Sequence, residues 1–206
     1  MEVNKKKSPL GIIAAIPFLI IAVRQIWTIF QMCVSPDLGR PTVWSLLYLL
    51  VELVAAVCLL IQKKTVVLPV AAIIWGLLEV RAFFSNLVLL FDGSFNFRML
   101  LYTVTDLLGA LTMILFGVIL LANLKEGARK VWFLPGIAAL LAFAVSALSG
   151  LGNIFSMLQY GAFQYLLNML WGYILYPLLL AVGVWLASAW FAYPYGMSQK
   201  TSYPHM

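Results

Sequence analysis

Five ionisable side chains, Arg24, Glu52, Glu79, Arg81 and Asp106, fall within runs of sequence that are otherwise almost wholly apolar. The densest such stretch is Trp75-Gly-Leu-Leu-Glu79-Val-Arg81-Ala-Phe-Phe-Ser85-Asn86, where an acid, a base and an amide interrupt a run from Val66 to Phe91. Charged groups in a membrane-length segment are costly, and they face a bundle interior or a cavity rather than lipid. The three acids outnumber the two arginines. A carboxylate without a cation beside it in a low dielectric is kept by holding a proton or a cation, the chemistry of proton-coupled or cation-coupled transport. The competing expectation is a structural network that fixes helix register, with the extra acid hydrogen-bonded to Tyr48, Tyr102, Asn86 or Ser85.

Spacing says which of these groups can meet. Glu79 and Arg81 are two residues apart, on different faces of a helix, and do not pair with each other. Glu79 shares its face with Phe83 and Asn86, Arg81 with Ser85, so the third span is expected to be central with partners on both sides. Arg24 and Arg81 are then expected to find carboxylates on other helices, with Glu52 and Asp106 the candidates. At about 1.5 Å per residue, both arginines lie roughly 20 Å from one end of their helices, and Glu52 and Asp106 roughly 10 to 15 Å from the opposite end of theirs. All five therefore fall in one layer.

The elements that must position them are membrane spans. The chain has 206 residues, of which 64% are hydrophobic and 10% charged, and its mean hydropathy is +1.02. A soluble domain carries about a quarter charged residues. The expected fold is an all-α integral membrane protein of six transmembrane helices, about 10–33, 42–62, 66–91, 99–124, 131–158 and 165–191. These form a single bundle over 1–206 with a short cytoplasmic tail at 192–206. After Lys5-Lys6-Lys7 the first apolar run resembles a signal peptide, but Arg24 stands where a cleavage site would be expected, so an uncleaved first helix is predicted.

Charge fixes the orientation. Lys5, Lys6, Lys7, Lys63, Lys64, Lys125, Arg129, Lys130 and Lys200 fall on one side and only Arg40 and Arg98 on the other, which places both termini in the cytoplasm of a multi-pass plasma-membrane protein. The same distribution accounts for the net charge of +6 and removes the argument for nucleic-acid binding. Trp44, Phe95, Phe97, Tyr160 and Phe163 are expected in the outer aromatic belt, and Trp132, Phe133, Trp190 and Tyr193 in the inner one.

An internal repeat is also expected. The second span reads Leu46-Leu47-Tyr48-x3-Glu52-Leu53-x-Ala55-Ala56 and the fourth Leu100-Leu101-Tyr102-x3-Asp106-Leu107-x-Gly109-Ala110. Tyr165 to Asn168 is a weaker echo, and the odd spans begin near Pro9, Pro69 and Pro135. Three tandem two-helix hairpins, about 1–62, 63–124 and 125–192, follow from this pattern. Ala138, Ala142, Ser146 and Gly150 recur every four residues, a small-residue face for close helix approach, for a partner membrane protein or for self-association. Pro17 and Pro177 should free the carbonyls of Ile13 and Tyr173.

Catalysis is not expected. The one histidine, His205, lies in the tail, which leaves the bundle without a Ser-His pair or a histidine metal site. Ser149-Gly150 lacks the preceding glycine of a nucleophile elbow, one Asp makes no aspartyl dyad, and Cys33 and Cys58 lie at different depths, too far apart for a disulfide. No cofactor or metal is expected. The first reading is binding or transport of a small solute or ion through Arg24, Glu52, Glu79, Arg81 and Asp106, assisted by Asn86, Tyr48 and Tyr102. The second is a non-transporting assembly or stress-related membrane protein whose polar layer is structural.

Overall fold

A computed structural model describes residues 9–35, 40–91, 97–124, 131–159 and 163–192, and these are helical apart from short connections. The spans are α1 (Pro9–Val34), α2 (Val43–Ile61), α3 (Val67–Phe91), α4 (Phe97–Leu124), α5 (Leu134–Gln159) and a sixth in three pieces: α6 (Phe163–Leu170), a π-helical turn (Trp171–Leu175) and α7 (Tyr176–Ala192). All six are long and apolar enough to cross a membrane. The lysine-rich segments 5–7 and 125–130, the connection over 92–96, Tyr160 and the tail from Tyr193 onward with Lys200 and His205 lie outside the described residues.

Local chemistry accounts for the helix ends. Thr42 and Ser45 form a capping box at the start of α2, the Ser45 N–H donating to the Thr42 hydroxyl at 3.2 Å and the Thr42 N–H to Ser45 Oγ at 3.0 Å. Gln62 ends that helix in a left-handed conformation, its N–H donating to the Cys58 carbonyl at 3.1 Å. Pro69 and Pro135 sit in the first turns of α3 and α5, where a missing N–H leaves no intrahelical bond unmade. For this reason α5 starts at Leu134, three residues after the expected Val131.

Each span packs on its neighbours in sequence, α7 closes the ring onto α1, and α4 also touches α7 across the interior. The third span is therefore not central as expected: α3 packs mainly on α2 and α4, and the element with a partner across the ring is α4. The α3–α4 contact is the closest. A Cβ on Gly117 would lie 2.7 Å from the Pro69 carbonyl oxygen, and one on Gly76 would lie 3.1 Å from that of Ala110. Glycine at both crossings lets the two backbones approach as they do.

Apolar burial is concentrated toward one end of the bundle, while small and polar residues of α4 and α5 such as Thr103, Ser149 and Asn153 are buried toward the other. Among the described side chains, the buried ones of α1 stop at Ala22 and those of α3 at Leu78, whereas they begin at Val51 in α2 and at Leu180 in the sixth span. Because the chain reverses direction at every connection, these segments all lie toward the same end. That half holds the core of Phe18, Leu59, Trp75, Phe116, Leu120 and Val184, with Phe18 set edge-on to Trp75 at 6.1 Å. Lys64 fastens its rim: Nζ donates to the Phe191 carbonyl at 2.9 Å and sits over the Trp190 and Phe191 rings. A lysine on the last carbonyls of a helix satisfies acceptors that have no donor in the helix itself. Trp190 is only 4% exposed, which removes it from the expected belt, whereas Phe133 and, at the other end, Trp44 and Phe97 are exposed.

Candidate functional site

The sparse half of the bundle is where the polar residues gather. A cavity of about 230 Å³ lies between α3, α4, α5 and the sixth span, with Glu79, Asp106, Tyr102, Tyr173, Tyr176 and Thr112 among its walls. Its floor, at the boundary with the dense half, carries Ala139 and Leu180 beside Thr112. Asp106 and Gly109 are one turn apart on the same face of α4, and the open position at Gly109 leaves room for Glu79, whose Oε2 would lie 3.8 Å from a Cβ there. Asp106 is held from the other side, Asn86 Nδ2 donating to its Oδ2 at 2.5 Å.

The sixth span shapes the rest. Pro177 has no N–H, so the helix before it cannot close a normal turn onto Tyr173. The chain takes a π-helical turn over Trp171–Leu175, the Tyr176 N–H reaching back to the Trp171 carbonyl. The Tyr173 carbonyl, expected to be freed by Pro177, accepts from Ser146 Oγ at 3.1 Å. The extra residue in the turn carries Gly172 and Tyr173 to the cavity wall. Tyr173 stacks on Tyr102 with ring centres 5.8 Å apart, their hydroxyls are hydrogen-bonded, and Asn153 Nδ2 donates to the Tyr102 oxygen at 2.9 Å. This trio ties α4, α5 and the sixth span together over the cavity. Beyond it, Tyr165, Asn168, Met169, Gly172 and Tyr173 line an open groove of about 600 Å³, so Tyr173 and Gly172 belong to both spaces.

The five ionisable residues divide into two groups. Glu79 and Asp106 reach the cavity, and Glu52 with Tyr48 lies behind Glu79 on α2, close enough for their charges to interact. Glu52 is 2% exposed, and its Oε2 has no hydrogen-bond partner among the described residues. The arginines stand apart from the acids. Arg24 Nη2 donates to Asn168 Oδ1 at 2.8 Å beside the Trp171 ring, and the exposed Arg81 lies over the Trp44 ring at 4.0 Å. The expectation that Arg24 and Arg81 pair with Glu52 and Asp106 is therefore corrected. Asn168 and two tryptophan faces take the guanidiniums instead, because both arginines point to the rim of the ring rather than to its centre.

Several wall residues carry no charge and were not singled out by composition alone: Tyr176, Thr105, Thr112 and Ser149. Tyr173 and Tyr176 stand three residues apart just before Pro177, and this is the signal by which they could have been found. Thr112 is fully buried and its hydroxyl has no partner among the described residues, although Thr103 and Thr105 on the same helix each donate to the carbonyl four residues back. The small-residue face of α5 receives the sixth span: Ala142, Ser146 and Gly150 are buried, a Cβ on Gly150 would clash with the Tyr173 side chain, and Ala142 and Ser146 also line the cavity. Cys33 and Cys58 are both free thiols. The arrangement offers carboxylates, phenol rings and hydroxyls around a partly open space inside an apolar bundle. Comparison with protein-family models, curated proteins and solved structures finds no match to this chain.

Proposed function

We propose that this polytopic membrane protein binds, and by opening at alternate ends transports, a small solute in the cavity between α3, α4, α5 and the sixth span. The observation that carries this reading is the placement of Glu79 and Asp106 in a membrane-embedded cavity with no cationic residue in its walls among the described residues. A network kept for register alone matches its charges. Here the acids are unmatched and border empty space. The dense half closes one end, and the Tyr102–Tyr173–Asn153 trio over the cavity adjoins an open groove, the asymmetry of a site reached from one side at a time.

The orientation and the repeat belong to the same proposal. The lysine distribution supports cytoplasmic termini in the plasma membrane, with the cavity reached from outside. Three tandem hairpins would make Glu52 and Asp106 the matched acids of the first two units, and each lies close enough to Glu79 for their charges to interact.

Access is tested with single cysteines at Thr105, Ser149 and Ala72 in a chain carrying Cys33→Ser and Cys58→Ala. A membrane-impermeant maleimide should label Thr105→Cys and Ser149→Cys from one face of sealed vesicles and leave Ala72→Cys, in the dense half, unlabelled. Failure to label either wall position from either face would make the cavity a sealed packing void and end the reading.

A further inference from the structure

We infer that the ligand of this cavity is a small organic cation, an ammonium on an aryl or short alkyl body. The inference rests on the reading of the cavity as a solute site and adds the chemical class. Three observations carry it, and each excludes something. The first is charge: Glu79 and Asp106 line the cavity and, among the described residues, no Lys, Arg or His does, so an anionic ligand would be repelled by every ionised group it met there. A cation supplies the countercharge that the arginines, turned to Asn168 and Trp44, do not.

The second is the aromatic wall. Tyr102, Tyr173 and Tyr176 surround the space from two helices, and ring faces attract ammonium groups most strongly where water is excluded. This points to an organic cation in place of a metal ion. Among the described residues no three His, Cys, Asp or Glu side chains are grouped closely enough to hold a metal, and rings alone do not replace the oxygen shell that a hard metal ion requires. The third is size and floor. About 230 Å³ exceeds the roughly 150 Å³ that takes up benzene and falls below the roughly 300 Å³ at which drug-sized sites begin. One ring or a short chain fits. Ala139, Ala142 and Leu180 give its body an apolar seat, and the orphaned Thr112 hydroxyl at the floor is a buried polar group that a ligand or its water would satisfy. Asp106 already accepts from the Asn86 amide, so Glu79, beside the Trp75 indole, is the carboxylate offered to the ammonium.

The test uses four congeners of one size on the full chain in lipid nanodiscs: benzylamine, benzyltrimethylammonium, benzyl alcohol and benzoate. We expect the two cations to raise the unfolding temperature by roughly 3–6 °C at ten times their dissociation constant, and the alcohol and the carboxylate to leave it unchanged. Glu79→Gln should abolish the rise while unfolding at the wild-type temperature without ligand, which separates binding in the cavity from partitioning of the cations into lipid. Stabilisation by benzyl alcohol or benzoate equal to that by the cations would overturn the charge class while leaving a solute site in place. A rise that survives in Glu79→Gln, or none with any of the four, would also overturn it. In that event the cysteine labelling decides separately whether the cavity is a site at all.

Discussion

The two halves of this bundle are made of the same six helices and solve different problems. In the dense half Phe18, Trp75, Phe116 and Leu120 fill the space between spans, and Gly76 and Gly117 bring α3 and α4 into backbone contact. In the sparse half the same helices hold tyrosines, asparagines and acids around a cavity, while Phe84, Phe91, Phe155 and Leu167 face outward. Lipid is as apolar as leucine, so helices in a membrane gain from close fit and from hydrogen bonds rather than from escaping water. The dense half uses fit. The sparse half is held by hydrogen bonds between helices, from Asn86 to Asp106, Ser146 to Tyr173, Asn153 to Tyr102 and Arg24 to Asn168. Stability is thereby concentrated at one end, and freedom to admit a ligand is left at the other.

Substitutions of like kind in the two halves should therefore differ. The largest loss is expected for Trp75→Ala. With little transfer energy at stake in lipid, the void itself matters, and roughly 140 Å³ at about 24 cal/mol per Å³ is about 3 kcal/mol. Phe155→Ala, at a side chain 64% exposed, should cost under about 0.5 kcal/mol. Chemical unfolding in mixed micelles compares them, and equal losses would remove the distinction between the halves. Next comes Gly117→Ala, which forces a Cβ against the Pro69 carbonyl and should cost about 1–3 kcal/mol. Gly152 has nothing within 4 Å of a new Cβ, so Gly152→Ala should be neutral or stabilise by up to about 1 kcal/mol through helix propensity. Ser146→Ala leaves the Tyr173 carbonyl without its hydroxyl donor, for a loss of about 1–2 kcal/mol. Its sharper signature is faster amide exchange over Trp171–Leu175, and unchanged exchange there would mean that the π-helical turn does not depend on Ser146. At the rim of the dense half, Lys64→Met should lose about 1 kcal/mol, read as increased protease cutting near residue 64.

How much of this was legible in the sequence depended on the physical signal. Membrane spans are set by length and apolarity, so their limits fall within a few residues of expectation. The exception at Val131 traces to Pro135. That the acids share a layer followed from helical rise alone. The pairing of Arg24 and Arg81 did not follow, because charge balance says that a partner is wanted but not which way a helix is turned. Trp44 and Trp171 are equally good partners for a guanidinium and carry no sign to count. Thr112 was invisible for a different reason: a threonine in a helix ordinarily bonds its own backbone, as Thr103 and Thr105 do, and only the coordinates show one that does not. The small-residue face of α5 was legible as a contact surface, while its use by Tyr173 and the cavity depended on the turn before Pro177.

The central claim is that the carboxylates are kept for a ligand and not for the fold, and the most direct measurement is the unfolding free energy of Glu79→Gln and Asp106→Asn in nanodiscs without ligand. Since neither acid is ion-paired among the described residues, and an Asn at 106 can still accept from Asn86, we expect both variants to match or exceed the wild type within about 0.5 kcal/mol. A loss of about 2 kcal/mol or more in Glu79→Gln would show a charge that the fold requires, and would contradict the claim.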